Sequence, residues 1–249
     1  MFKIGFTSVT FRDLSRREIC KLANENGIEI IEWGGDVHLP PADKNALNEV
    51  LTLQEEFNVK AASYGSYYRL GEKNYKLWQN IVDTAAAIGA KYIRIWQGSL
   101  GSRFVTKDLF DEMVEETKKL AEIAKEKNLT VAFEYHKKTN NDTAKSSIRF
   151  LKAVNMDNVK TYWQPFSYYN DENTLKALTD EIVTIHVFTW DKACNRFDLK
   201  NGEVQWKKYI EDIKVAGIEP NFIMEFVKDD SPEQFKKDLT VLRDWLKEN

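Results

Sequence analysis

Residues 91–135 read KYIRIWQGSLGSRFVTKDLFDEMVEETKKLAEIAKEKNLTVAFEY and contain a strand, a helix and a second strand in succession. The two ends, KYIRIW and TVAFEY, are short runs rich in β-branched and aromatic residues, which is typical of buried strands. The apolar positions between them follow the 3.6-residue repeat of an amphipathic helix: Leu109, Met113, Leu120 and Ala124. This pattern predicts two parallel strands covered by the helix that joins them.

The same pattern recurs along the whole chain. The strand-like runs are FKIGF (2–6), IEIIEW (28–33), VKAASY (59–64), KYIRIW (91–96), TVAFEY (130–135), VKTYW (159–163), IVTIHVF (182–188) and NFIMEF (221–226). Glycines stand where a helix must end before the next strand: Gly27, Gly89 and Gly217. Eight strand–helix units in a chain of 249 residues predict an α/β fold, a single (β/α)8 TIM barrel that spans residues 1–249 as one domain. The glycine-rich nucleotide loop of a doubly wound sheet is missing from the sequence.

Three local features lead to narrower predictions. The segment GSYYRLGE (65–72) is predicted to be the loop after the third strand and a candidate lid. Asn-Gly within FDLKNGEVQW (197–206) predicts a small hairpin in the seventh strand-to-helix connection. Ser231, followed by proline and then by Gln234, predicts the start of the last helix, with serine as the N-cap.

Composition limits the class of partner. Of the residues, 43% are apolar and 30% are charged, and the net charge is −3 with both signs mixed along the chain. This disfavours nucleic acid or an anionic membrane as a partner and favours a small molecule. The sequence shows neither a signal peptide nor a membrane span, which predicts a cytoplasmic protein. Cys20 and Cys194 match no metal or redox spacing and are expected to be free thiols.

Polar residues at the carboxyl ends of the strands are the candidates for chemistry, because active sites of such barrels lie there. Glu134, His186 and Glu225 interrupt apolar strand runs, and each is costly to bury without a partner. A structural pair with Arg94 would explain one of them, whereas three metal-competent side chains near one rim favour a shared divalent cation. Gln164, which ends the sixth strand, adds an amide oxygen.

Other residues near the predicted rim suit a polyhydroxylated ligand. Aromatic rings can pack against sugar C–H faces, and basic side chains can bond hydroxyl groups. The candidates for substrate binding are Trp33, His38, Tyr64, Arg94, Trp96, His136 and Lys192, with Trp163 as a further aromatic. Ordinary barrel packing is the alternative explanation for each aromatic residue.

Three motifs together resemble the xylose isomerase-like barrels, which include sugar and sugar-phosphate isomerases and epimerases. They are AFEYH (132–136), IHVFTWD (185–191), and IMEF (223–226) followed by DDSPEQF (229–235), and the similarity spans nearly the whole chain. The resemblance implies one divalent cation, with Mn²⁺ as the first choice and Mg²⁺, Co²⁺ or Zn²⁺ as alternatives. It also implies that Glu134, His186 and Glu225 are metal ligands, and that both glutamates act as acid and base on an enediolate.

The sixth strand departs from that family. Relatives commonly have an aspartate there with a histidine three residues later, where this chain has Gln164 and Ser167. Gln164 is therefore either a fourth ligand or a buried amide that bonds the strand backbone.

The resemblance leaves other functions open. A dehydratase of a keto-inositol-like substrate would use the same enolising step, and a barrel that binds sugar without turnover would keep the fold. The related DNA-repair endonucleases need many histidines, and this chain has 3. By analogy with relatives, a homodimer or homotetramer is expected.

Overall fold

The computed structural model describes residues 2–165 and 171–247. Within these ranges, eight parallel strands form a closed barrel in sequence order, and β8 pairs with β1. The strands are β1 (Ile4–Thr7), β2 (Ile30–Gly34), β3 (Lys60–Arg69), β4 (Tyr92–Trp96), β5 (Thr130–Phe133), β6 (Val159–Trp163), β7 (Ile182–Val187) and β8 (Asn221–Met224). The helices are α1 (Arg16–Glu25), α2 (Lys44–Glu56), α3 (Tyr75–Ala87), α4 (Lys107–Lys125), α5 (Ala144–Val154), α6 (Asp171–Leu178), α7 (Glu203–Ala216) and α8 (Pro232–Lys247). The predicted (β/α)8 barrel is confirmed.

The ends of the helices follow the chemistry of their terminal residues. Ser15 and Glu18 form a reciprocal capping box at the start of α1. Gly27, Gly89 and Gly217 adopt φ values of +61°, +73° and +68°, so each ends its helix in the left-handed region as predicted. At the start of α8, the backbone N–H of Gln234 donates to Ser231 Oγ at 3.2 Å, which confirms serine as the N-cap.

Side chains alternate between the barrel interior and the layer under the helices. Ile30, Ala62 and Ile223 are buried in a cluster of their own, apart from the large core between barrel and helices. Glu32 and Glu225 stand two positions after Ile30 and Ile223, so they face the interior on the carboxyl side of this apolar plug. Gly5 lets the barrel close here, because a Cβ atom would lie 2.4 Å from the carbonyl oxygen of Ile30.

The prediction that residues 65–72 form a loop is wrong for most of that segment. β3 continues to Arg69, and after an irregularity beyond Gly65 it pairs Arg69 with Trp96 of β4. Tyr67 reaches φ +60° within this irregular part, which is uncommon for a residue with a large side chain. The extension carries β3 beyond the end of β2 and level with Trp96, the last residue of β4.

The hairpin predicted within residues 197–206 is also absent from the described chain. Leu199–Gly202 form a 3₁₀ turn that runs directly into α7. Gly202 has φ −95°, so the Asn-Gly pair does not adopt the left-handed geometry of a hairpin turn. The backbone N–H of Leu199 donates to Asp238 of α8 at 2.9 Å and fixes the turn against that helix. A single antiparallel bridge, between Trp190 and Arg196, occurs earlier in the same connection.

None of the helices in the described ranges is both long enough and apolar enough to cross a membrane.

The segment that follows β3 is held by a buried carboxylate of α4. Glu116 accepts hydrogen bonds from the Tyr68 hydroxyl at 2.8 Å and from the backbone N–H groups of Gly71 at 2.6 Å and Lys73 at 3.0 Å. The Glu116 side chain is only 3% exposed, so water cannot readily replace these bonds. The carboxylate thus fixes the end of the β3 extension to the helix layer.

Replacing Glu116 by alanine should destabilise the protein by about 3 kcal/mol, because it leaves buried donors without an acceptor. The matched control is Glu115→Ala, which removes the neighbouring exposed carboxylate and its bond to Lys118 and should cost less than about 1 kcal/mol. Urea unfolding measures both changes. Equal losses in the two variants would contradict the anchoring role.

Candidate metal centre

The parallel pairing of the strands brings four of the predicted residues to the carboxyl-terminal ends of the strands, at one rim of the barrel. His186 lies within β7, while Glu134, Gln164 and Glu225 directly follow β5, β6 and β8. The N–H of Glu134 donates to Ile95 at 3.0 Å, and that of Glu225 donates to Val187 at 3.1 Å. Both glutamates therefore continue the parallel pairing beyond their strands, which fixes the direction of their side chains.

Three of these side chains converge on one point. Ligand atoms of Glu134, His186 and Glu225 lie within 4.8 Å of one another, and all three residues are buried. His186 Nδ1 lies 3.3 Å from Glu225 Oε2 and 3.1 Å from Gln164 Oε1. Gln164 thus adjoins the cluster through its amide oxygen, the atom that could complete a donor set of one nitrogen and three oxygens. Ser167, the other departure from the family pattern, lies outside the described residues.

A third buried carboxylate, that of Glu32, lies inside the barrel beside this cluster. Glu32 of β2 is completely buried and accepts hydrogen bonds from Arg94 Nε at 3.0 Å, Ser63 Oγ at 2.8 Å and the Tyr162 hydroxyl at 2.9 Å. Its Oε1 atom also faces His186 Nε2 at 3.4 Å. Sequence reasoning assigned Glu32 no role. The signal was present, because a carboxylate in the apolar run IIEW raises the same question of a partner as Glu134.

Arg94 joins the two carboxylates. Its Nε donates to Glu32, and its Nη1 donates to Glu134. Gly65 makes room for this guanidinium, because a Cβ atom at that position would lie 2.7 Å from Arg94 Nη2. Arg94 was expected to bind substrate, but in the structure its guanidinium is engaged by protein carboxylates.

The electric field of this layer shifts the pKa values of its members. Burial alone would raise the pKa of both Glu32 and Glu134, yet Arg94, His186 and the hydrogen-bond donors around them together outweigh burial and hold both pKa values below their ordinary range. Burial would lower the pKa of His186, but the nearby Glu225 and Glu32 outweigh it and raise that pKa to about 10. In the absence of a metal, the imidazole is therefore protonated at neutral pH.

Trp96 and His136 also face the site. The indole Nε1 of Trp96 donates to Glu134 Oε2 at 2.5 Å, and the rings of Trp96 and His136 have centroids 6.0 Å apart. His136 stands two residues after Glu134, and its ring packs beside the indole that bonds Glu134. These two predicted substrate-binding residues are brought to the metal-site residues.

Three other predicted binding residues are placed elsewhere. Trp33 donates its Nε1 to Gln54 of α2 at 3.1 Å, the Tyr64 hydroxyl donates to the Leu39 carbonyl at 2.7 Å, and His38 Nε2 lies 3.0 Å from the Leu14 carbonyl. Trp33 and Tyr64 have no exposed surface, and His38 is 3% exposed. Trp33 and Tyr64 lie between the barrel and the helices, because residues next to an inward-facing strand residue must face outward. His38 lies in the turn after β2, with its ring centroid 6.5 Å from that of Trp33.

Trp163 and Lys192 are the remaining candidates. Trp163 also faces outward and packs against Tyr209 of α7, with ring centroids 5.0 Å apart. Lys192 is exposed in the turn that the Trp190–Arg196 bridge closes, in the connection between β7 and α7.

Replacing Arg94 by methionine should destabilise the protein by about 3–5 kcal/mol, because Glu32 and Glu134 would remain buried without their shared cation. Adding Glu32→Gln to Arg94→Met should restore part of that loss. The control is Arg149→Met, which removes an exposed guanidinium on α5 and should cost less than about 1 kcal/mol. Denaturant unfolding of the metal-free proteins checks this, and a loss below about 1 kcal/mol for Arg94→Met would refute the electrostatic role.

Comparisons with solved structures give whole-chain matches of low sequence identity. The probable 3-DHS dehydratase AsbF of Bacillus anthracis, involved in petrobactin synthesis, superposes with a TM-score of 0.82 at 18% identity, covering 98% of this chain and 99% of the other. A D-allulose 3-epimerase from Methylomonas sp. gives 0.78 at 16% identity, with 98% of each chain covered. A xylose isomerase-like TIM barrel protein from Mycobacterium smegmatis, solved in complex with magnesium, gives 0.73 at 16% identity, covering 99% of this chain and 98% of the other. At these identities the matches establish a shared fold.

No curated protein sequence matches this chain. The family model described as xylose isomerase-like TIM barrel matches residues 20–245, which is most of the sequence. The chain therefore belongs to the xylose isomerase-like TIM barrel family.

Proposed function

We propose that this protein is a divalent-metal-dependent enzyme that isomerises or epimerises a sugar or sugar derivative. The observation that carries the proposal is the convergence of Glu134, His186 and Glu225 within 4.8 Å at the carboxyl rim. The epimerase among the structural matches adds support by analogy, because it carries its activity on the same fold.

The donor set fits a divalent cation. Glu134, Glu225 and Gln164 offer oxygen atoms and His186 offers a nitrogen, a mixture that suits Mn²⁺ first and also Mg²⁺, Co²⁺ or Zn²⁺. The buried layer holds three carboxyl side chains, including Glu32, and one guanidinium, that of Arg94. A cation of charge +2 would balance this excess of acidic groups once His186 has lost its proton.

In this proposal the two glutamates move the proton. The cation, when bound, would stabilise the negative oxygen that develops as a proton leaves the neighbouring carbon. One of Glu134 and Glu225 removes that proton, and the other returns it to the same carbon from the opposite side or to the adjacent carbon. Hydrogen bonds from Arg94 and Trp96 orient the Glu134 carboxylate and favour its ionised form.

A dehydratase is the second candidate, and the position of His136 favours it. Loss of a hydroxyl group after enolisation needs an acid near the leaving oxygen. The His136 ring packs beside Trp96, whose indole bonds Glu134, and from there it could protonate that oxygen. The probable dehydratase among the matches shows that the fold is compatible with such an assignment. A barrel that binds sugar without turnover is the non-catalytic alternative.

Metal titration tests the site directly. The wild-type protein should bind about one equivalent of Mn²⁺, His186→Ala should abolish binding, and Gln164→Ala should weaken it by about 10–100-fold. Gln79→Ala, on the exposed face of α3, is the control and should bind as the wild type does. Undiminished binding in Gln164→Ala would make Gln164 a structural amide, and no metal binding in the wild type would overturn the proposal.

Metal binding should also release protons. Glu225 and Glu32 overcome the effect of burial and raise the pKa of His186 to about 10, so its imidazole carries a proton at pH 7 when no metal is bound. A ligand nitrogen must be neutral, so binding at pH 7 should release about one proton, and the apparent affinity should rise with pH up to about 10. Calorimetry in buffers of different ionisation heat measures the proton count. A count of zero would place His186 outside the donor set.

Carbon–hydrogen exchange in D₂O tests turnover without knowledge of the product. With Mn²⁺ and a panel of D-fructose, D-tagatose, D-ribulose and D-xylose, an active protein should introduce deuterium beside the carbonyl group. Glu225→Gln and Glu134→Gln should each lower this rate at least about 10³-fold, because each removes a base. Glu233→Gln, in the first turn of α8, is the matched control.

Product mass distinguishes the candidates. An isomer keeps the mass of its substrate, whereas a dehydrated product loses water. Sugar binding without exchange in the wild type would leave the non-catalytic barrel as the function.

A further inference from the structure

Arg69 lies beside the candidate metal centre at the end of the β3 extension. Its guanidinium carbon is 3.6 Å from the centroid of the Trp96 ring, so the guanidinium lies against the indole face. The same indole donates its N–H to Glu134. Arg69 is therefore separated from a proposed metal ligand by a single aromatic ring.

Arg69 differs from the other arginines around the mouth of the barrel. Arg94 is paired with Glu32 and Glu134, Arg12 with Asp36 and Arg196 with Asp230. For Arg69, the described part of the chain offers no carboxylate within ion-pair distance. Its hydrogen bond goes to a backbone oxygen, from Nη1 to the Gly98 carbonyl at 3.2 Å.

The surroundings of Arg69 favour the binding of an anion. The residue is partly buried, and burial lowers the pKa of Arg69, an effect that Glu134 and Glu72 offset only in part from a distance. A guanidinium has several N–H donors in one plane, and most of those on Arg69 have no acceptor in the described structure. An anion in that plane would supply both the missing charge and the missing acceptors.

The backbone fixes Arg69 at this position from both sides. Before it, the irregular part of β3 places Tyr67 at φ +60°, and the Tyr67 ring meets the Trp96 ring edge-on at 5.4 Å. After it, Glu116 binds the N–H groups of Gly71 and Lys73. Arg69 and Tyr67 thus contact the Trp96 ring from two directions. These contacts fix the guanidinium beside the site before any ligand binds.

We propose that Arg69 binds a carboxylate or phosphate group of the substrate, which makes the substrate an anionic sugar derivative. The inference deepens the proposed function and rests on it. The metal centre would hold the carbonyl end of the substrate, and Arg69 would hold the charged group across the face of Trp96. Arginine suits this task because its planar donors match two oxygens of a carboxylate or phosphate at once.

Paired probes that differ only in charge test the proposal. One pair is D-galacturonate and D-galactose, and the other is D-fructose 6-phosphate and D-fructose. The Mn²⁺-loaded wild-type protein should bind at least one charged probe about 10-fold or more tightly than its neutral partner. Preference within the first pair identifies a carboxylate substrate, and preference within the second pair identifies a phosphate.

Arg69→Met should abolish this preference, because it should weaken binding of the charged probe at least about 10-fold more than binding of its neutral partner. Arg69→Lys should restore part of it, because lysine keeps the charge and loses the planar donors. Arg103→Met is the matched control, since Arg103 also lies over an aromatic ring, Phe104, at 4.4 Å, but in an exposed 3₁₀ turn. That control should retain the full preference. Mn²⁺ affinity and thermal stability of each variant report whether Trp96 and Glu134 have been disturbed.

Two outcomes would overturn the role of Arg69: a wild-type protein that binds charged and neutral probes equally, or an Arg69→Met variant that keeps the preference. Failure of the proposed function gives a different result. In that case the protein binds no Mn²⁺, or catalyses no exchange with charged and neutral sugars alike, while the same probe pairs, repeated on the metal-free protein, still reveal an anion held by Arg69.

Discussion

Two carboxylates share one guanidinium inside the barrel, and the candidate site depends on this arrangement. Arg94 bonds Glu32 below and Glu134 above, so it links the buried layer to the proposed metal ligands. Without the positive charge of Arg94, keeping both carboxylates ionised in the interior would cost much free energy. The hydrogen bond from Arg94 favours the ionised form of Glu134 and fixes the orientation of its carboxylate. Glu32 in turn faces His186. The charged cluster therefore connects β2, β4, β7 and the residue that follows β5.

The fold could be predicted because the pattern that encodes it is local. Each helix shows its own apolar repeat, and glycines such as Gly27 mark positions where the chain must enter the left-handed region. The two local errors have a common cause. Glycine-containing segments such as 65–72 and Asn201-Gly202 permit several backbone conformations, and tertiary contacts choose among them. Pairing with β4 extended one segment into a strand, and Asp238 held the other in a turn before α7.

The convergence of Glu134, His186 and Glu225 could be predicted because carboxylates and histidine in apolar strands are conspicuous, and barrel topology brings strand ends together. Which neighbouring aromatic residues face the site depends on the alternation of side chains along each strand. If Glu32 faces inward, then Trp33 must face the helices, and the same holds for Tyr64 after Ser63. Arg69 could not be found in this way, because its position arises from an irregularity in β3 that carries no distinct sequence signal.

Gly65 shows how the central ion cluster restricts substitution at a neighbouring position. A Cβ atom there would lie 2.7 Å from Arg94 Nη2, so the space occupied by the guanidinium is the space that the glycine leaves empty. A side chain at position 65 would require the Arg94 guanidinium to shift from its place between Glu32 and Glu134. Positions 65 and 94 are therefore expected to evolve as a linked pair: lineages that retain the arginine should retain the glycine, and a larger residue at 65 should appear only where the arginine has been lost.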